Sequence, residues 1–471
     1  MTFRVRSLLI TAVTFILASC TMGPDYQRPE VPVPEGYRSS TVDGESFANL
    51  HWWELFDDAD LVALIETALA NNKELAIALA RIEEARASLG FVRADQFPNL
   101  SGSAGAGRGN VLPGGVPGAV NDNFVLAADL SFEVDLWGKL RRSTEAARAE
   151  LLSTVEARNV VTITLIADVA SIYLLLLDLD ARVDIARRTA QTRQDALDII
   201  EARFDRGVVP LIDVNQAQIE LADATAEIAA LVRQQGLAEN SLSVLLGRNP
   251  GPVLLSRHNV ANTLSIPEIP VGLPSELLER RPDVRQASQQ LAAQTARIGV
   301  AEALRFPSLS LTGSLGLTSD DLNGFISSDN KVWGISANLL APIFDAGRNK
   351  SRVEAERART EQLLNAYQLT VLRSFQEVDD ALIEIHTYRQ EAEAREEQVR
   401  AASSATRLSR ARYDGGVTSY LEVLESERSL FRAELLASST RRAQVVAIVS
   451  LYKALGGGWE SQAEDSLSDN S

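Results

Sequence analysis

Residues 124–136 read Phe-Val-Leu-Ala-Ala-Asp-Leu-Ser-Phe-Glu-Val-Asp-Leu. Phe124, Leu126, Ala128, Leu130, Phe132, Val134 and Leu136 alternate with Val125, Ala127, Asp129, Ser131, Glu133 and Asp135. A strict period of two makes a β-strand with one apolar face and one largely polar face. The pattern returns downstream, where Trp333, Ile335, Ala337 and Leu339 alternate with Gly334, Ser336 and Asn338. A weaker strand precedes each: a Gly/Ser/Ala-rich Leu100 to Gly107, and Leu309, Leu311, Leu315 and Leu317. The connections Arg108–Asn123 and Thr318–Lys331 are rich in Gly, Asp, Asn or Pro and are expected to be exposed loops.

The two hairpins belong to a larger duplication with a constant offset of 209 residues. Phe97-Pro98 recurs as Phe306-Pro307, Gly138 as Gly347, Ala202-Arg203-Phe204-Asp205 as Ala411-Arg412-Tyr413-Asp414, and Leu246-Gly247 as Leu455-Gly456. Landmarks that keep their spacing over such a distance mean that element lengths were duplicated as well as motifs. Between Gly138 and Gly207, and between Gly347 and Gly415, neither Gly nor Pro occurs. Each stretch is expected to be one helix about 100 Å long at 1.5 Å per residue. Gly207 and Gly416 fit helix C-caps, and apolar periodicity restarts within a few residues, so each long helix turns back in a tight tip. Upstream, Asp60–Leu89 and its copy Ser275–Ala303 carry amphipathic helix spacing. Val160–Leu177 is apolar enough to resemble a membrane span, but Asp168 interrupts it and its copy carries Arg373, Glu377, Asp379 and Asp380, so a soluble helix is expected.

The N-terminus has Arg4 and Arg6 followed by an uncharged apolar run from Leu8 to Ala18, the form of a secretory signal. Leu17-Ala18-Ser19-Cys20 resembles a lipoprotein processing site, which would cleave residues 1–19 and acylate Cys20, the chain's only cysteine. Cleavage would take the net charge from −17 to −19, since Arg4 and Arg6 leave and no carboxylate does. The lone cysteine excludes disulfides, and the acidic balance without a basic patch argues against a nucleic-acid partner.

An open sheet edge is not tolerated in lipid, and four strands cannot close a barrel. The chain must therefore share a barrel with copies of itself. Two copies give eight strands with a filled interior, whereas three give twelve and leave a duct. The expected fold is α+β: a trimeric twelve-stranded outer-membrane barrel, four strands per chain, continued by a long periplasmic α-helical barrel. The divisions are a signal peptide (1–19), a lipidated proline-rich tether (20–60), repeat one (61–248), a linker (249–269), repeat two (270–457) and an acidic tail (458–471) expected to be disordered. Within the repeats lie hairpins at 98–137 and 307–346, long helices at 139–206 and 348–414, and return helices at 211–246 and 420–455.

The lipobox followed by Gly23-Pro24-Asp25-Tyr26, the Trp52-Trp53-Glu54-Leu55-Phe56 segment, Asp135-Leu136-Trp137-Gly138-Lys139, the two Arg-Phe/Tyr-x-x-Gly-Val tips and the closing Leu451-Tyr452-Lys453-Ala454-Leu455-Gly456 together resemble the lipoprotein branch of the TolC-like outer membrane factors. No single motif decides; their order and spacing do. The resemblance, to efflux channels of the OprM/NodT type, implies a homotrimeric passive exit duct for small toxic molecules. Its partners would be a periplasmic adaptor and an inner-membrane pump of the RND type. It implies a periplasmic gate at Leu421, Glu425 and Arg428, where the family often carries Asp at the position of Glu425. It also implies adaptor docking at Arg203, Gly207, Val208, Arg412, Gly416 and Val417. The first-repeat counterparts of the gate are Ile212, Gln216 and Ile219, so its charges lie in one repeat only. The ordinary alternative for Glu425 and Arg428 is a surface pair three residues apart.

No catalytic constellation is visible. His51, His258 and His386 lie in unrelated segments, and Gly102–Gly109 precedes a strand rather than a helix, unlike a phosphate loop. No enzyme, metal or cofactor is expected beyond lipid on Cys20. The alternatives to efflux are the outer-membrane component of type I protein secretion and a lipid-anchored coiled-coil spacer with no lumen. The spacer would not need four alternating strands.

Overall fold

The structure, a computed structural model, describes residues 21–37, 58–112, 116–253 and 274–457. The signal segment, Cys20, the Trp52–Phe56 motif, most of the linker and the acidic tail lie outside the described residues. The elements run α1 (Ala59–Asn71), α2 (Lys73–Ala94), β1 (Asn99–Leu112), β2 (Val116–Val134), α3 (Lys139–Asp205) and α4 (Leu211–Leu245). The second set is α5 (Pro274–Arg280), α6 (Pro282–Ala303), β3 (Ser308–Ser319), β4 (Lys331–Leu340), α7 (Arg348–Asp414) and α8 (Tyr420–Ala454). Adding 209 to the bounds of α2, α3 and α4 gives those of α6, α7 and α8 at both ends. Contacts divide the described residues into two units, one drawn from residues 21–30, 80–155 and 286–369, the other from 31–79, 156–285 and 370–457.

The first unit holds a four-stranded antiparallel sheet in the order β1-β2-β3-β4. Its register puts Leu100, Leu130, Gly313 and Ile335 in one row, and Gly102, Ala128, Leu315 and Trp333 in the next, all on one face. The other face carries the rows Ser101, Asp129, Ser314, Gly334 and Asn99, Ser131, Thr312, Ser336. Hydroxyls on this polar face bond across strands, Thr312 with Ser336 at 2.7 Å and Ser103 with the Asp129 carboxylate at 3.3 Å. The apolar face is uncovered: Trp333 is 75% and Ile335 82% exposed. A sheet with its apolar side outward is the arrangement lipid requires.

One expectation is overturned here. The stretch Arg108–Asn123 is not a loop, because β1 and β2 stay paired out to Leu112 and Val116, with a bulge between Gly109 and Val111. Gly and Asn are poor strand formers by composition, but cross-strand pairing overrides that weak preference. The connection between β3 and β4 is a true loop, containing a short 3-10 turn at Ser328–Asn330.

Below the strands of this unit, the segment after Cys20 is held by main-chain contact. The Met22 amide donates to the Trp137 carbonyl (3.1 Å), and the buried Arg142 guanidinium donates to the carbonyls of Met22 and Gly23 and to Asp25 (2.6 Å) and Glu145 (2.7 Å). Gly23 has φ +86°, and a Cβ there would lie 2.5 Å from the Gly299 Cα, so this crossing admits no side chain.

The second unit packs the middle of the long helices and the return helices around one core. Ile65, Leu179, Leu231, Leu242 and Ile448 are at most 2% exposed and belong to one cluster drawn from both repeats. This explains the apolar run of α3: most of that segment is buried inside the protein, as expected of a core helix. The helices expected over Asp60–Leu89 and Ser275–Ala303 are each broken, at Asn72 and at Arg281. At each break a side chain reaches the end of a return helix. The Asn72 side-chain Nδ2 donates to the Leu245 carbonyl (2.9 Å) at the end of α4, and the Arg281 guanidinium donates to the Ala454 carbonyl (2.8 Å) at the end of α8. Asn72 also caps α2 by accepting from the Leu75 amide, and Pro282 opens α6 where its missing N–H costs nothing. Gly247, φ +69°, closes the first of these corners; a Cβ there would meet the Asn71 carbonyl at 2.2 Å.

Candidate functional site

Both helical tips are closed the same way. The Val208 amide donates to the Arg203 carbonyl (3.0 Å) and the Gly207 amide to that of Phe204 (2.8 Å); Val417 to Arg412 (2.9 Å) and Gly416 to Tyr413 (2.9 Å) repeat the pattern. This is the left-handed C-cap, with Gly207 at φ +71° and Gly416 at +69°. The cap throws the next side chain outward, so Val208 and Val417 are 69% and 71% exposed. Behind the apices, Leu197, Ile200, Val214 and Ala217 from the first repeat pack with Tyr420, Val423 and Leu424 from the second. Burial, with Glu427 nearby, pushes the Tyr420 hydroxyl up to about 12.

Arg203 and Arg412, expected at the docking surface, are already engaged within the chain. The Arg203 guanidinium lies over the Tyr413 ring (5.1 Å) and 3.8 Å from Asp414, and Arg412 pairs with Glu422 (3.3 Å). Arg203 holds one tip to the other and Arg412 braces its own, leaving Val208 and Val417 as the projecting groups.

Leu421, Glu425 and Arg428 lie at i, i+4 and i+7 on one exposed face of α8. Arg428 does not bond Glu425. Its guanidinium binds the carboxylate of Glu220 on α4, joining the return helices of the two repeats. Glu220 is itself buried and also takes Arg193 of α3: one Arg193 nitrogen lies 3.0 Å from the carboxylate, and another donates to the Glu220 main-chain carbonyl. The same Arg193 lies over the Phe431 ring of α8 at 5.2 Å. One buried carboxylate thus ties three helices, and the bond to Glu220 holds the Arg428 charge more firmly, raising its pKa. A second bridge, Arg410 to Glu427 (2.6 Å), joins α7 to α8.

The sequence reading missed Glu220 and Arg193. The available signal was a carboxylate on the buried stripe Val214, Ala217, Ala224 and Leu231 of α4, where an unpartnered charge would be costly. His386 pairs with Gln390 (3.0 Å), and among the described residues no three metal-ligating side chains converge.

A model of the family described as outer membrane efflux protein matches residues 64–248 and 273–457, two stretches again 209 apart at both ends. Outer membrane protein OprJ of Pseudomonas aeruginosa is 34% identical over 464 residues, covering 97% of this chain and 96% of that protein. Cation efflux system protein CusC of Escherichia coli is 32% identical over 457 residues, covering 96% and 99%. Among solved structures, the outer-membrane channel OprN superposes with a TM-score of 0.87 at 30% identity, covering 93% of this chain and 100% of that one.

Proposed function

This chain belongs to the outer membrane efflux protein family, and on that premise we propose how its residues divide the work of an outer-membrane efflux channel. Three copies close a twelve-stranded pore with the sheet's polar face inward, and the helices carry the periplasmic part of the duct. Substrate is delivered by an inner-membrane pump through a periplasmic adaptor, and the channel itself does no chemistry. Relatives named as efflux proteins favour this over protein secretion, and the sheet speaks against a spacer without a lumen. CusC is named for cations; the cargo of this chain is left to its pump. Cys20 carries the lipid anchor, and mass spectrometry of the mature N-terminus should find an acylated Cys20; an unprocessed N-terminus would refute it.

The entrance is gated by Leu421 and Glu425, with Arg428 as its latch. The observation that carries this reading is the Arg428–Glu220 bond across the two repeats. Three-fold symmetry would bring three Glu425 carboxylates towards one axis, where like charges repel. Holding α8 against α4 opposes that repulsion and keeps the entrance narrow at rest. Cells carrying Arg428→Ala, which loses the latch and keeps the repelling carboxylates, should become sensitive to large hydrophilic antibiotics that the intact outer membrane excludes. Unchanged sensitivity with normal channel levels would remove the gate from these residues.

A further inference from the structure

The two hairpins are one object in two copies. Asn99 opposite Ser131, Leu100 opposite Leu130 and Gly107 opposite Asn123 become, 209 residues on, Ser308 opposite Leu340, Leu309 opposite Leu339 and Gly316 opposite Val332. The join between the hairpins is also defined: Leu130 faces Gly313, Asp129 faces Ser314 and Ala128 faces Leu315. What remains are two unpaired edges, β4 at one side of the sheet and β1 at the other.

The base of the two edges is not built like the base of the internal join. There, the Trp137 ring stacks on Phe306 (centroids 4.7 Å apart) and its Nε1 donates to the Pro307 carbonyl (2.8 Å). At the edges, the counterpart of Phe306 is Phe97 and that of Trp137 is only Ala346, at φ +51°. The helix cap has also moved by one residue. Asp135 caps α3 by accepting from the Leu140 and Arg141 amides, but its counterpart is Phe344, and Asp345 takes over by accepting from Gly347 and Asn349. Freed from capping, Phe344 is 89% exposed beside Ile343 at 97%, while on the other edge Phe97 and Leu100 are 60% and 73% exposed.

We propose that the seam between copies of this chain repeats the internal join shifted by 209, pairing β4 of one copy with β1 of a second so that Leu339 faces Ala104, Asn338 faces Gly105 and Ala337 faces Ala106. At its base Ile343 packs on Leu100, and Phe344 covers the Phe97 ring that Ala346 is too small to reach. This rests on the trimeric reading and adds the register and the contacts. The pairing keeps Leu339, Ala337, Ala104 and Ala106 on the outward apolar face, and Asn338 and Ser336 with Gly105 and Gly107 on the polar one. A slip of one residue would exchange the faces. A slip of two preserves them, so it is the competing register.

Disulfide trapping separates the two. Cys20 is the only natural cysteine, so the unmodified chain is the control. Nothing lies within 4 Å of a Cβ built on Gly105 or Gly107, which leaves room for new side chains. After mild oxidation of membranes, Asn338→Cys with Gly105→Cys should run as a covalent trimer on a non-reducing gel. Asn338→Cys with Gly107→Cys or with Ser103→Cys should stay monomeric, because about 7 Å along the strand combined with about 5 Å between strands sets the Cα atoms more than about 8 Å apart, beyond what a disulfide can bridge. Stronger trapping of a shifted pair, or none in protein that still runs as a native trimer, overturns the register. Absence of any native trimer for the unmodified chain overturns the trimeric reading itself. Ile343→Cys with Leu100→Cys should trap as well; if only the Asn338 pair does, the base faces lipid and the proposed clasp is wrong.

Discussion

Glu220 is the residue on which the tip region turns, because it answers two guanidinium groups of very different exposure. Arg193 is 4% exposed, and deleting Glu220 would leave that charge buried without its carboxylate, a loss of roughly 3–5 kcal/mol. Arg428 is 47% exposed and water can replace its partner, so its own deletion should cost under about 1 kcal/mol. Denaturant titration of detergent-solubilised protein should therefore rank Glu220→Ala well below Arg428→Ala in stability; the reverse order would mean that Arg193 does not depend on Glu220. On the proposed reading, stability and gating are carried by different bonds to the same carboxylate. Arg428 was legible from the family resemblance. Glu220 could be picked out as a carboxylate on the buried stripe of α4, but its pairing with Arg428 could not, because its repeat counterpart is Ser429 and no motif links the two. A bond between residues 208 apart in the chain is fixed by how helices pack, which periodicity does not report.

At the scale of elements, the long helices, the tips and the strand faces could be read because each rests on a strong local rule: absence of Gly and Pro, glycine at a left-handed cap, and period two. The break at Arg281 was legible in Pro282, which cannot continue a helix begun before it, whereas the break at Asn72 was not, because it depends on a carbonyl presented by the far end of a return helix. The outer halves of β1 and β2 were hidden by glycine and asparagine for the same kind of reason: their pairing partner, not their composition, makes them strands. The tips allow a test that separates shape from docking. A Cβ at Gly416 meets no atom within 4 Å, so Gly416→Trp bears only the left-handed backbone strain of about 1–2 kcal/mol and should leave folded trimers. It should nonetheless abolish co-purification of the adaptor, since the new ring would stand beside Val417 at the apex; retained adaptor would place the docking surface elsewhere.

Over the whole molecule the 209-residue duplication supplies sameness, and its exceptions supply function. Matching helices and matching hairpin registers make three chains into six near-equal units. Ala346 stands where the first repeat has Trp137, which in the proposed seam sets the join between copies apart from the join within one, and Glu425 with Arg428 stand where it has Gln216 and Ile219, which would confine the proposed gate charges to one repeat. The central claim is that this trimer is a duct held shut by the Arg428–Glu220 bond. Single-channel recording in planar bilayers tests it most directly. Purified wild-type trimers should insert and pass only a small current, and Arg428→Ala should raise the conductance several-fold with trimers intact. Equal conductance in the two, or no current from either after confirmed insertion, would contradict the account.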